Sequence, residues 1–98
     1  MIDIYTDTYG VLINFETDVD LTSATDAQVI IKKPNREIVT KDSAVSITDP
    51  AKGIVSYAVE QGDFSIVGEH ELQVVTLEGV VKKLRGTTIT VNVKQALG

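Results

Sequence analysis

The chain has 98 residues, no cysteine, and nine basic against fourteen acidic side chains, for a net charge of −5. That length sets one domain with a modest core, burying roughly 60–65% of the unfolded surface. Disulfides, thiolate metal sites and thiol nucleophiles are excluded together, and the acidic balance speaks against a phosphate backbone as partner. An apolar fraction of 43% is ordinary for a folded chain. No apolar run approaches the ~18–20 residues that cross a bilayer. The first ten residues, MIDIYTDTYG, have neither the basic nor the apolar region of a secretion signal.

In chain order, residues 1–6 read as a short strand with Ile2 and Ile4 on one side and Asp3 and Tyr5 on the other. Asp7-Thr8 turns the chain. Tyr9, Val11, Ile13 and Phe15 then alternate with Gly10, Leu12, Asn14 and Glu16, which predicts a strand over 9–16. Residues 18–25 are polar and irregular, rich in Asp, Thr and Ser side chains that bond their own backbone in turns. Residues 27–33 (AQVIIKK) form the next strand, ended by Pro34. After a turn at 34–36, residues 37–40 return as a short strand, Lys41-Asp42-Ser43 interrupts, and Val45 and Ile47 mark another. Asp49-Pro50-Ala51-Lys52-Gly53 is a strong turn signal.

Val55, Tyr57 and Val59 alternate through the following strand, Gln61-Gly62-Asp63-Phe64 makes a polar corner, and Gly68 opens a strand with Leu72 and Val74 on one face. Residues 74–77 are apolar or β-branched on both faces, the pattern of a strand buried on two sides. Glu78-Gly79 is a hairpin turn into a strand over 80–84. Gly86 separates that strand from a last one carrying Thr87, Ile89, Val91 and Val93, and 94–98 reads as a frayed tail. Residues 64–67 offer one helical turn at most. About seven to nine short strands with turn signals every 8–12 residues describe an all-β fold. An immunoglobulin-like antiparallel β-sandwich is the first architecture, and a small barrel the second.

Chemistry is sparse. The single histidine, His70, alternates onto the face of Leu72 and Val74, while Glu69 and Glu71 face the other way, so it reads as a packed or edge residue rather than a base. No nucleophile elbow, oxyanion loop or phosphate-binding glycine loop is present. Asp18, Asp20 and Asp26 lie close in sequence and have the oxygen chemistry of a Ca²⁺ loop, but not the EF-hand spacing. Without tryptophan, sugar-stacking platforms are scarce, and Tyr5 is the one easy candidate. The only basic cluster, Lys82, Lys83 and Arg85, reads as a solvated hairpin edge. The expectation is therefore a non-enzyme with no catalytic residues, metal or cofactor. Leu77, Val80 and Val81 either complete a two-sided core or form a subunit interface, and exposed sheet edges supply further binding surface.

Several local signals occur together: Asp7 and Gly10, then Asp20-Leu21-Thr22-Ser23-Ala24-Thr25, Lys33-Pro34-Asn35, Tyr57, Gly62-Asp63-Phe64, Gly68, and Leu72-Gln73. In that order they resemble the N-terminal immunoglobulin-like domain of phage upper baseplate proteins and its single-domain relatives in tailed phages. The resemblance covers roughly residues 7–93 of a single domain spanning 1–98. Arg36 departs from it, standing where a turn glycine is usual, which leaves Asn35 as the residue suited to a left-handed conformation. His70 also departs, standing where a large aromatic is common. The resemblance implies a non-enzymatic virion structural protein of the tail, baseplate or neck, assembled in the host cytoplasm. Its partners would be other virion proteins or copies of itself in a symmetric assembly, with no nucleic acid and no membrane. The alternatives are a capsid-decorating or receptor- or carbohydrate-binding module, and a bacterial surface adhesion module.

Overall fold

The computed structural model describes residues 2–80 and 82–97, with the backbone alone at residue 87. Among these residues it holds eight strands and no helix: β1 (Ile2–Tyr5), β2 (Leu12–Glu16), β3 (Asp26–Lys32), β4 (Ile38–Lys41), β5 (Val45–Asp49), β6 (Ile54–Ala58), β7 (Gly68–Glu78) and β8 (Lys82–Lys94). They form a five-stranded sheet in the order β1-β8-β7-β3-β4 and a three-stranded sheet in the order β2-β6-β5. The two sheets pack face to face as a β-sandwich. Every pair is antiparallel except β1, which lies parallel to β8 with Ile2 opposite Val91 and Tyr5 opposite Lys94.

Period-2 alternation fixes what the two sheets share. Ile13 and Phe15 of β2 and Val55 and Tyr57 of β6 meet Val29 and Ile31 of β3, Leu72 and Val74 of β7, and Val91 and Val93 of β8 in one buried core. The irregular segment after β2 also contributes. Its Leu21 is buried, its N–H donating to the Pro50 carbonyl at 2.7 Å, and burial of a leucine is worth about 2 kcal/mol.

Several boundaries differ from the sequence reading. The strand over 9–16 starts only at Leu12, because Gly10 turns its N–H to the Val59 carbonyl (2.8 Å) and leaves Tyr9 and Val11 exposed. The strands predicted on either side of Gly86 are one strand, β8. Against β7 its register slips between Gln73 and Val75, so an extra residue is accommodated at 86–87 as a bulge. Gly86 stands there because a Cβ would lie 2.6 Å from Val74 Cγ1, and Gln73 Nε2 donates to its carbonyl at 3.1 Å. The tail is also partly held: Thr6 N–H donates to Lys94 O at 2.8 Å, and Ala96 N–H to Thr6 Oγ1 at 3.1 Å.

The β3–β4 turn corrects a more specific expectation. Arg36, not Asn35, takes the left-handed conformation, at φ 72°. Asn35 instead accepts the Glu37 N–H on its Oδ1 at 3.0 Å, while Arg36 N–H donates to Lys33 O at 2.9 Å. A side chain in that region costs about 1–2 kcal/mol, partly offset by the flexibility glycine adds to the unfolded chain. Arg36→Gly is therefore expected to stabilise the domain by about 1 kcal/mol, read as a higher urea midpoint at unchanged m-value.

Candidate interaction surfaces and the clamp that positions them

Two of the four polar residues buried among the described ones, Asp63 and His70, sit on either side of Phe64. Asp63, 3% exposed, follows β6 and reaches back under it. Its Oδ2 accepts from the Tyr57 hydroxyl and from the Glu60 N–H at 3.0 Å, and its Oδ1 lies 2.9 Å from Lys41 Nζ. Lys41 also pairs with Glu60 at 3.4 Å. Lys41 ends β4 in the large sheet and Tyr57 lies in β6 of the small one, so Asp63 ties the two layers together. The hydrogen bond to Asp63 holds the Lys41 ammonium above the usual lysine range. Burial, then the bond to Asp63, pushes the Tyr57 hydroxyl well above the usual tyrosine range. Such a saturated carboxylate is a structural clamp: each oxygen already has a donor.

His70 is fully buried beside it, its ring edge-on to Phe64 with centroids 5.1 Å apart. Nδ1 lies 3.2 Å from the Gly68 carbonyl, which can only accept, so Nδ1 carries the proton. Nε2 is left buried with no hydrogen-bond partner. Burial holds the imidazole below the usual histidine range, and the nearby Lys33 charge adds to this against the Gly68 bond. The unfolded chain thus binds a proton that the folded one refuses, so stability is full above pH ~6.5 and falls as pH drops toward the folded value. His70→Phe is expected to remove this acid loss and to add about 1 kcal/mol at pH 7 by deleting the unpartnered nitrogen. Denaturation midpoints at several pH values check both effects.

The aspartates named as a possible Ca²⁺ loop have other occupations. Asp20 accepts from the Thr22 N–H at 2.9 Å and from its hydroxyl, which hold its carboxyl below the usual range. Asp26 Oδ1 accepts from the Ala27 N–H at 2.8 Å, and Asp18 sits at φ 58°. Among the described residues no group of three or more acidic or histidine side chains is placed to hold a metal ion.

What remains outward is surface. Register places Ile30 and Lys32 of β3, Ile38 and Thr40 of β4, Glu71 and Gln73 of β7 and Thr88 of β8 on the outer face of the large sheet. There Ile30, Lys32, Ile38, Glu71, Gln73 and Thr88 line a shallow groove of about 160 Å³. At its side, β4 is bonded to β3 alone and forms a free edge. Lys33 N–H donates to Glu37 O at 2.8 Å, so the hydrogen-bonded pairs continue at Ile31/Val39 and Val29/Lys41. Ile38 and Thr40 therefore turn their N–H and C=O groups away from the sheet, and Ile38 is 64% exposed.

Of the residues suggested for binding, Tyr5, Leu77, Val80 and Val81, the three described ones do not form one surface. Tyr5, 58% exposed, lies on the outer face opposite Lys94, at one end of β8. Val80 is fully exposed at the β7–β8 turn, about 40 Å away along β8, in a molecule whose longest extent is 44 Å. Leu77 is half-buried, and its carbonyl accepts from Thr25 N–H at 2.8 Å and from Thr25 Oγ1 at 3.2 Å. Val81 lies outside the described residues. Sequence reasoning missed Tyr9, also 58% exposed, and the free edge at Ile38 and Thr40. Only knowledge of which strand pairs with which could have found the latter. Neither the protein-family models nor the curated proteins contain a match to this chain.

Proposed function

We propose that this chain is a non-enzymatic structural component of a tailed-phage virion, an adaptor in the tail, baseplate or neck. It would be assembled in the host cytoplasm and dock onto other virion proteins in a symmetric array. One observation carries the reading: two of the signals in the resemblance, Tyr57 and Gly62-Asp63-Phe64, are where the chain places its buried clamp. That chemistry holds two sheets together and leaves contacts to edges and faces. The outer face and free edge of the large sheet suit an adaptor, because main-chain groups and small apolar side chains recognise another strand or flat surface.

Immunogold labelling of purified tailed particles with an antibody to this chain tests the reading directly. Discrete, symmetric label on tail, baseplate or neck is expected. Particles that contain no trace of the chain contradict it. In solution the isolated chain should associate weakly at most, and adopt ring-like stoichiometry only with its partner. A second reading, a receptor- or carbohydrate-binding or capsid-decorating module, is favoured by the exposure of both Tyr5 and Tyr9, since aromatic faces stack on sugars. Saturable glycan binding by the isolated monomer, lost in Tyr5→Ala or Tyr9→Ala, would replace the adaptor reading with that one.

A further inference from the structure

We infer that β4 is a self-pairing edge, through which two copies of this chain join antiparallel over Glu37–Lys41 about a twofold axis at Val39. Hydrogen-bond phase is the first support. An antiparallel ladder needs residues on both strands whose N–H and C=O groups point at each other. Ile38 and Thr40 are the two that point outward from β4. Pairing Ile38 with Thr40 of the second copy, and Thr40 with its Ile38, makes four main-chain hydrogen bonds with Val39 opposite itself. Neighbouring symmetric registers do worse. Centring on Ile38 sets Thr40 against Arg36, which is held in the turn at φ 72°. Centring on Thr40 sets Ile38 against Asp42, beyond the end of the strand.

Side chains agree with that register. Ile38 and Thr40 both project from the outer face, and a twofold axis normal to the sheet keeps them there in both copies. The segment reads Glu-Ile-Val-Thr-Lys, so antiparallel self-pairing brings Glu37 opposite Lys41 of the second copy at each end, the favourable arrangement for cross-strand charges. Lys41 already bears Asp63 and Glu60, and Glu37 lies 3.8 Å from Lys33. The ends thus become rows of alternating charge, which select register more than they add strength. The β5 edge, by contrast, is interrupted by a register break between Ile47 and Asp49.

Contact between two four-residue strands falls well short of the roughly 1,600 Å² of a standard stable interface. The pairing is therefore weak for free chains and strengthened where many copies are held in one assembly. It stands independently of the adaptor reading, since it requires only this chain.

Sedimentation and amide NMR spectra over a dilution series starting near roughly 1 mM test it. The expected result is a mass rising toward the dimer, with concentration-dependent shifts centred on Ile38 and Thr40. Thr40→Pro removes an outward N–H without touching a bond to β3 and should abolish association, as should Ile38→Lys, which keeps the test open if the proline variant fails to fold. In this cysteine-free chain, Ile38→Cys combined with Thr40→Cys should give an oxidised covalent dimer, because Cα atoms of a hydrogen-bonded pair lie about 5.5 Å apart, within disulfide reach. A chain that stays monomeric at the highest concentration, or a dimer that persists in folded Thr40→Pro and Ile38→Lys, overturns the proposal.

Discussion

Asp63→Ala is expected to lower the stability of the domain by about 3 kcal/mol, a large part of the roughly 5–15 kcal/mol available to a chain this size. The substitution leaves the Tyr57 hydroxyl and the Glu60 N–H without their acceptor, and leaves Lys41 with only the looser pairing to Glu60. A buried donor stripped of its partner keeps its full desolvation cost, which is why the loss exceeds that of an ordinary hydrogen bond. The melting temperature should fall by roughly 12–24 °C. Tyr57→Phe should cost less, about 1 kcal/mol, because Asp63 keeps its other donors. A double-mutant cycle between Asp63→Ala and Tyr57→Phe should show strong coupling; additive effects would mean that the clamp does not act as a unit.

Gly53→Ala is expected to be nearly as damaging, at about 3 kcal/mol, and for a different reason. Gly53 has φ 72°, and its added Cβ would run into the Val19 carbonyl oxygen and Thr17 Oγ1. Backbone cannot step aside cheaply. The same glycine accepts the Thr17 N–H at 2.9 Å and the Thr17 hydroxyl at 2.8 Å, so the clash would also pull apart the contact between the β5–β6 turn and the loop after β2. Gly62→Ala provides the comparison: φ is 92°, but nothing lies within 4 Å of the added carbon. It should show only the conformational cost, about 1 kcal/mol. Denaturant unfolding of the two variants separates strain from collision; equal losses would show that no collision occurs at Gly53.

These two sites show where the fold is legible in sequence and where it is not. Alternation alone identifies the inward residues of most strands, including Val29 and Ile31, Val55 and Tyr57, and Leu72 and Val74, because burial of one sheet face imposes period 2. The same rule places His70 in the core rather than between its glutamates. Gly86 misleads, since a glycine inside a bulge and a glycine between two strands look alike until a neighbour such as Val74 is known to crowd it. Arg36 misleads in another way. The turn demands a left-handed residue at a fixed offset, and the chain tolerates the strain of a side chain there. Lys41 and Asp63 lie 22 positions apart, so nothing local announces their pairing. Leu21 shows the same limit, a buried apolar residue in a polar stretch whose main chain bonds to the distant Pro50. Of the candidate surface, the residues were visible but not their grouping: Tyr5 and Val80 fall at opposite ends, and the free edge of β4 follows from sheet order alone.

Amide hydrogen exchange on the dilute isolated chain tests most directly the central claim, a clamped sandwich that presents an open strand edge. Slow exchange is predicted at Val39 and Lys41, which bond to β3, and rapid exchange at Ile38 and Thr40 between them. Uniform protection along Ile38–Lys41, or uniform absence of it, would contradict the sheet order and the edge together.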